Sequence, residues 1–133
     1  QILAIDPYLT VHPSSGESDP EYVKRRFLDA VRGLNVKLIR EKSQEVGKSW
    51  NTPIDLLHID GDHRKKLLRE DIELFVPHVK SGCYVFFHDH SVGGSHEEDG
   101  GAVKEVVAEI RDTYFSEVTF NTQKYSFAIC KKK

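Results

Sequence analysis

Acidic and imidazole side chains crowd two short segments of the sequence. Residues 58–63 read His-Ile-Asp-Gly-Asp-His, and residues 88–90 read His-Asp-His. Carboxylate oxygens are the ligands that Mg²⁺ prefers, and the neighbouring imidazoles would also permit Zn²⁺, Mn²⁺ or iron. A second interpretation is that Asp60 and Asp62 cap a following helix, because aspartate is favoured there. Capping accounts for one acid but not for the second segment, so the spacing favours a site for a divalent cation.

Three aspartates follow short apolar runs of the kind that form strands buried on both faces of a parallel sheet. They are Asp6 after residues 2–5, Asp60 after residues 54–59 and Asp89 shortly after residues 83–87. Ligands of such sheets bind beyond the carboxyl ends of the strands, so the pattern predicts one acidic edge. For Asp6 two roles stay open. The carboxylate could accept hydrogen bonds from ribose hydroxyls, as in nucleotide-binding folds, or it could form a plain Asp-Pro turn.

Strands and helices alternate along the chain, and a hairpin closes it. Apolar runs predict strands over residues 2–5, 36–39, 54–59 and 83–87. Apolar residues at helical spacing predict helices from Pro20, with Asp19 as the cap, from about 65 to 79, and over about 103–110. Residues 118–120 and 125–129 predict an antiparallel hairpin. This order predicts one α/β domain of three layers with a mainly parallel sheet, and no linker divides residues 1–133.

The motifs at two strand ends carry a family resemblance. The stretch 54–90, with IDGDH after one strand and FHD after the next, resembles class I S-adenosylmethionine-dependent methyltransferases. It is most similar to their small-molecule O-methyltransferase branch. The run ILAIDPY resembles the second strand of that fold, and VKLIREKSQEV resembles the third strand and the loop on the adenine side. The resemblance covers essentially the whole chain and implies a Rossmann-like domain. It also implies methyl transfer to a small-molecule hydroxyl, assisted by a divalent metal, most simply Mg²⁺.

The same resemblance implies roles for individual residues. Asp60 and Asp89 would be metal ligands, and His88 would be the third, although metal-dependent relatives often carry an acid at its position. His63 matches the position of a proposed general base in sugar O-methyltransferases of this branch. A neutral imidazole could take the proton of a metal-bound hydroxyl. A purely structural role at the start of a helix is the alternative for His63.

Cofactor binding is implied for three residues, Asp6 at the ribose, Ser43 on the adenine side, and Asp60. The first strand of the family and its glycine-rich loop have no counterpart in this sequence, and methionine is absent. We therefore expect a domain truncated at its N terminus that binds S-adenosylmethionine weakly or not at all. Micromolar affinity in calorimetry would contradict this. The sheet should either show a gap or pair the strands of residues 2–5 and 54–59 directly.

The charge balance indicates the class of partner. Lys and Arg number 19 and Asp and Glu number 21, for a formal net charge of −2. A nucleic-acid binder would show a basic stripe, so a small-molecule partner is expected. No apolar run approaches the roughly 18 residues of a membrane span. Cys83 and Cys130 suggest free thiols in a reducing, cytoplasmic compartment, and a homo-oligomer is left open.

Two other functions remain compatible with these residues. The first is a metal-dependent hydrolase, because residues 58–63 differ by one residue from the H-x-H-x-D-H of metallo-β-lactamase-like enzymes. Those enzymes need further histidines and a longer chain. The second is a degenerate domain of the methyltransferase fold that acts as an interaction module without activity, which the absent cofactor loop favours. The glycine-rich residues 90–101 could form a substrate lid.

Overall fold

The computed structural model describes residues 1–8, 19–89, 101–121 and 126–133. Its internal contacts divide the chain into two units, Gln1–Val46 and Gly47–Lys133. The predicted lid, His90 and the hairpin turn lie outside the described residues. Within them, no helix is both long enough and apolar enough to cross a membrane.

Helices and strands alternate in the order that the sequence predicts. Over the first 47 residues the order is β1 (Ile2–Ile5), α1 (Pro20–Ala30), β2 (Val36–Ile39) and α2 (Ser43–Gly47). The remainder contains β3 (Ile54–Ile59), α3 (Lys65–Phe75), a 3₁₀ turn (Val76–His78), β4 (Val79–His88), α4 (Gly101–Tyr114), β5 (Phe115–Asn121) and β6 (Phe127–Lys132). β1 and β2 pair in parallel. The other strands form a sheet of order β3-β4-β6-β5, in which β3 and β4 are parallel and β6 is antiparallel to both neighbours. The predicted α/β fold with a C-terminal antiparallel hairpin is confirmed.

The two strand pairs of the expected parallel sheet belong to separate sheets among the described residues. Direct pairing of β1 with β3, one of the two outcomes expected from the sequence, is therefore not formed there. That residues 1–133 form a single domain stays a prediction.

The start of α1 follows the predicted capping pattern. The side chain of Asp19 accepts a hydrogen bond from the N–H of Glu21 at 2.9 Å. Pro20 occupies the first turn, where its missing N–H costs nothing because the helix needs no donor there. The cap therefore fixes where the helix of the first unit begins.

The helix after β3 ends earlier than the sequence predicts. α3 stops at Phe75, and the 3₁₀ turn that follows contains Pro77, which has no N–H to continue the helical hydrogen bonds. Val79 already belongs to β4, so this strand begins before residue 83. The pairing of β3 with the early part of β4 is irregular, and Gly82 adopts a φ of +80° there, which glycine tolerates best.

The hydrophobic core of the second unit joins α3 and α4 to one face of the four-stranded sheet. Val85 and Phe87 are fully buried, whereas Tyr84, directly before Val85, is 44% exposed. Successive side chains of a strand point to opposite faces, so this alternation is the one expected. The apolar helix faces that the sequence predicts are buried as well, namely Leu68, Ile72, Phe75, Val103, Val106, Val107 and Ile110. This packing fixes the end of β4, where the acidic residues lie.

Both cysteines are free thiols, as expected from the sequence. Cys130 on β6 is fully buried, and Cys83 on β4 is half-buried. Burial raises the pKa of the Cys130 thiol from 9.0 to about 12, because an apolar surrounding disfavours the thiolate.

We expect alkaline pH to destabilise the folded chain through Cys130. The unfolded chain loses this thiol proton at lower pH than the folded chain does, so the contribution to stability is complete below pH 9.0 and is lost on the way to about pH 12. Urea titrations across this range would measure the effect, and Cys130→Ala should reduce it.

In the native chain at pH 8 we expect iodoacetamide to modify Cys83 alone. Equal modification of both thiols would contradict the assignment.

Candidate active site at the ends of β3 and β4

Parallel pairing brings the carboxyl ends of β3 and β4 side by side. Ile59 lies opposite Phe87, so Asp60 and His88 follow as neighbours where the two strands end. Nδ1 of His88 lies 3.2 Å from Oδ1 of Asp60 and 3.1 Å from Oδ1 of Asp89. The structure thus places together the three residues that the sequence predicts as metal ligands.

His63 joins this group from the connection between β3 and α3. Its Nε2 lies 3.8 Å from Oδ2 of Asp89. One donor atom each from Asp60, His63 and Asp89 lie within 4.8 Å of one another. We call Asp60, His63, His88 and Asp89 the rim cluster. Asp60 is exposed and the other three are half-buried, so a solute can reach the cluster.

The rim cluster fits a small divalent cation. Nδ1 of His88 is buried and, among the described residues, makes no hydrogen bond of normal geometry, although two carboxylate oxygens lie within 3.2 Å. Buried polar atoms normally have a partner. Separations of about 3 Å are also those between adjacent ligands of a six-coordinate Mg²⁺. The carboxylates of Asp60 and Asp89 with either imidazole could therefore supply three ligands.

The backbone at Asp89 is unusual. Its φ is 53°, in the left-handed region that aspartate and asparagine adopt more readily than most residues. β4 ends at His88, so the change of backbone direction comes where the strand stops. The ring of His58 packs edge-on against the ring of His88, with a centroid distance of 6.2 Å. Both features help to fix the side chains at the end of β4.

Asp62 has a local structural role. Its Oδ1 accepts the N–H of Arg64 at 2.9 Å, and its carboxylate also receives the Arg64 guanidinium, with Nη2 at 2.6 Å from Oδ2. The hydrogen bond from the Arg64 side chain is the main reason why the pKa of Asp62 is lowered. Arg64 is the N-cap of α3 and lies directly before its first residue, Lys65. The expected helix cap by Asp60 or Asp62 is therefore not formed, because the N-cap of α3 is Arg64 and no side chain makes its capping hydrogen bond. Asp62 instead forms a local turn just before the helix, whereas Asp60 belongs to the rim cluster.

The residues expected at the cofactor lie in the first unit, apart from Asp60. Asp6 follows β1, and its Oδ1 accepts the N–H of Tyr8 at 2.7 Å, as in an Asx turn. The side chain of Asp6 is nevertheless exposed, so this turn leaves it accessible to a ligand. Ser43 is half-buried at the start of α2. Their contacts with a cofactor stay a prediction.

One acidic residue near the rim cluster escapes sequence analysis. Asp71 on α3 is only 7% exposed. Its signal in the sequence is its position, three residues after Leu68 and four before Phe75, on the apolar face of the helix. A charged residue on such a face needs an explanation.

Sequence comparisons assign residues 1–90 to a known kind of domain. A family model described as a methyltransferase domain matches this range, which runs from β1 to the end of β4 and contains the whole rim cluster. Uncharacterized protein R132 of Acanthamoeba polyphaga mimivirus is 28% identical over 95 residues, which is 68% of this chain and 43% of that protein. The chain thus spans less than half the length of this curated relative.

Solved structures with low sequence identity share the fold. The O-methyltransferase NovP matches with a TM-score of 0.69 and 16% identity, over 98% of this chain and 59% of NovP. The SAH-bound methyltransferase PaMTH1 of Podospora anserina matches with a TM-score of 0.61 and 12% identity, over 98% of this chain and 59% of PaMTH1. An rRNA methylase of Streptococcus thermophilus gives a TM-score of 0.61 and 16% identity, over 99% of this chain and 73% of the methylase.

Proposed function

The chain belongs to the methyltransferase-domain family, and we propose that it serves the transfer of a methyl group from S-adenosylmethionine to a hydroxyl of a small molecule with the help of a divalent cation. Residues 1–133 alone are expected to bind the cofactor weakly, so the assays below use S-adenosylmethionine at high concentration. The rim cluster carries this proposal, because it gathers two carboxylates and two imidazoles at the strand ends where such sheets bind ligands. The similarity to NovP supports an oxygen acceptor, and the SAH bound to PaMTH1 supports the cofactor. The family match favours methyl transfer over the hydrolase alternative.

Asp60 and Asp89 would hold the cation, with His88 as the third ligand. The carboxylates supply hard oxygen ligands, and Nδ1 of His88 already lies within 3.2 Å of both. A bound divalent cation lowers the pKa of a hydroxyl next to it. Asp6 and Ser43 would bind the ribose and the adenine of S-adenosylmethionine, and Asp60 is the third residue for which we propose a contact with the cofactor.

His63 would act as the general base. Its Nε2 would accept the proton of the acceptor hydroxyl, and Asp89 Oδ2, 3.8 Å away, would stabilise the imidazolium that results. When bound, S-adenosylmethionine would supply the methyl group to the deprotonated oxygen, and its sulfonium sulfur would keep the bonding electrons as S-adenosylhomocysteine. The remaining contribution of the chain is to hold the reactants in line.

A small-molecule acceptor is supported by the net charge of −2, since nucleic-acid binding relies on basic surfaces. The rRNA methylase of similar fold makes RNA the acceptor to test against this proposal. Free thiols at Cys83 and Cys130 support a reducing, cytoplasmic location.

We expect methyl transfer to require the cation. With S-adenosylmethionine labelled on its methyl group and a panel of hydroxylated small molecules, EDTA should lower the rate by about tenfold or more, and Mg²⁺ should restore it. The control variant Asp55→Asn should show the same dependence on the cation as wild type, because Asp55 lies on the same sheet but pairs with Lys80 outside the rim cluster.

Three results would contradict parts of the proposal. A rate that EDTA leaves unchanged would remove the cation from it. Transfer to ribosomal RNA alone would replace the small-molecule acceptor. Binding of S-adenosylmethionine without transfer to any acceptor would favour the interaction module without activity.

A further inference from the structure

A buried carboxylate lies in the second unit outside the rim cluster. Asp71 on α3 is 7% exposed and shares the buried face of that helix with Leu68, Ile72 and Phe75. Burying a charged group costs free energy unless hydrogen bonds or ion pairs compensate for it, and Asp71 does interact with other groups. The groups around Asp71 therefore indicate what its carboxylate stabilises.

The segment that connects β3 to α3 passes close to this carboxylate. Oδ2 of Asp71 lies 3.4 Å from the point where a Cβ on Gly61 would stand. Among the described residues, leaving aside the chain neighbours of Gly61, no other heavy atom lies within 4 Å of that point. A glycine therefore presents its main chain, with no side chain between, to the Asp71 carboxylate.

This connection carries two members of the rim cluster, Asp60 just before Gly61 and His63 two residues after it. Toward α3 the connection is tied by the contact of Asp62 with Arg64. At Gly61 the connection lies next to the Asp71 carboxylate. We propose that Asp71 is a positioning residue that holds the connection between β3 and α3 so that Asp60 and His63 face Asp89. The inference rests on the proposed function in taking the rim cluster to be a cation site.

The alternative is that Asp71 stabilises the fold and nothing more. The two roles differ in what a substitution changes. A structural residue lowers thermal stability and leaves the affinity of folded molecules for a cation unaltered. A positioning residue lowers that affinity beyond the effect of an equally destabilising change elsewhere, because residues that orient metal ligands typically contribute tenfold or more.

The experiment compares Asp71→Asn with a matched control, Val107→Ala, which removes two methyl groups from a fully buried position on α4. Mn²⁺ is titrated into each folded chain and followed by electron paramagnetic resonance, and hydrogen exchange is measured at the amides of Gly61 and Asp62. We expect Asp71→Asn to raise the Kd for Mn²⁺ about tenfold and to speed exchange at both amides. Val107→Ala should lower the melting temperature without either change.

Equal Mn²⁺ affinity and exchange in Asp71→Asn and wild type would overturn the inference. If Asp71→Asn does not fold, Asp71→Glu decides in its place, because it keeps the carboxylate but moves it by one methylene group from its position beside Gly61. A Kd for Mn²⁺ unchanged by Asp71→Glu would then overturn the inference. If wild type binds no Mn²⁺, the proposed cation site fails, and the exchange rates at the two amides alone decide the role of Asp71.

Discussion

Replacing Asp89 by asparagine is expected to weaken Mn²⁺ binding at the rim cluster about a hundredfold and to lower methyl transfer to a similar extent. A hundredfold corresponds to about 2.8 kcal/mol. This is the size expected for removing one of two carboxylate charges from a partly buried site, where unit charges 4 Å apart interact by about 4 kcal/mol. We expect the largest loss of Mn²⁺ affinity at Asp89, because its carboxylate lies next to both His63 and His88. The Kd comes from titration with Mn²⁺, and the rate from transfer of labelled methyl groups.

Asparagine is the better replacement because of the backbone at this position. Asp89 has a φ of 53°, which asparagine tolerates, whereas a residue such as alanine adds a backbone cost of about 1–2 kcal/mol. Asp55→Asn, which removes a carboxylate paired with Lys80, serves as the matched control and should keep wild-type affinity and rate. Wild-type Mn²⁺ affinity in Asp89→Asn would show that the rim cluster is not the cation site.

Replacing His63 by glutamine is expected to lower kcat by roughly a hundredfold to ten-thousandfold, the usual contribution of a general base. The imidazole is the group 3.8 Å from Asp89 that can accept a proton, and glutamine cannot do so. The KM for S-adenosylmethionine should stay near its wild-type value, because proton transfer matters in the transition state and not in binding.

Mn²⁺ affinity separates a general base from a metal ligand at position 63. If His63 is the general base, its replacement should leave the Kd for Mn²⁺ within about twofold of the wild-type value. Groups that orient metal ligands typically contribute tenfold or more. A Kd that rises as far as in Asp89→Asn would make His63 a ligand, in agreement with its place in the group of donor atoms within 4.8 Å. His78→Gln is the control, since His78 lies in the 3₁₀ turn outside the rim cluster. An unchanged kcat in His63→Gln would exclude the general base and the metal ligand, and would leave the purely structural role at the start of a helix.

The rim cluster could be predicted in large part because it depends on topology. Apolar runs mark the strands, and adjacent parallel strands place their carboxyl ends at one edge, so Asp60 and Asp89 had to meet. The buried faces of α3 and α4 follow in the same way from helical spacing. These predictions need only local periodicity and the rule for where parallel strands end.

Other features depend on contacts that periodicity does not report. The carboxylate of Asp62 is directed to Arg64 by a local hydrogen bond, and nothing in the IDGDH motif separates it from Asp60. β4 begins at Val79 although the sequence near Gly82 reads as a break between elements, since pairing with β3 continues across an irregular stretch that periodicity does not report. Asp71 was missed because a single charged residue on an apolar helix face is easily taken for an exposed one, although it is 7% exposed.

The position of β6 has a consequence for biosynthesis. This strand comes after both β4 and β5 in the chain, yet it lies between them in the sheet. Because the ribosome delivers the chain from its N terminus, β4 must wait with one edge unpaired until residues 127–132 have emerged. An unpaired strand edge invites association with other chains, so the nascent protein is most vulnerable to aggregation in this interval. Loss of the last strand would remove the middle of the sheet, and with it the support for the strand that ends at the rim cluster.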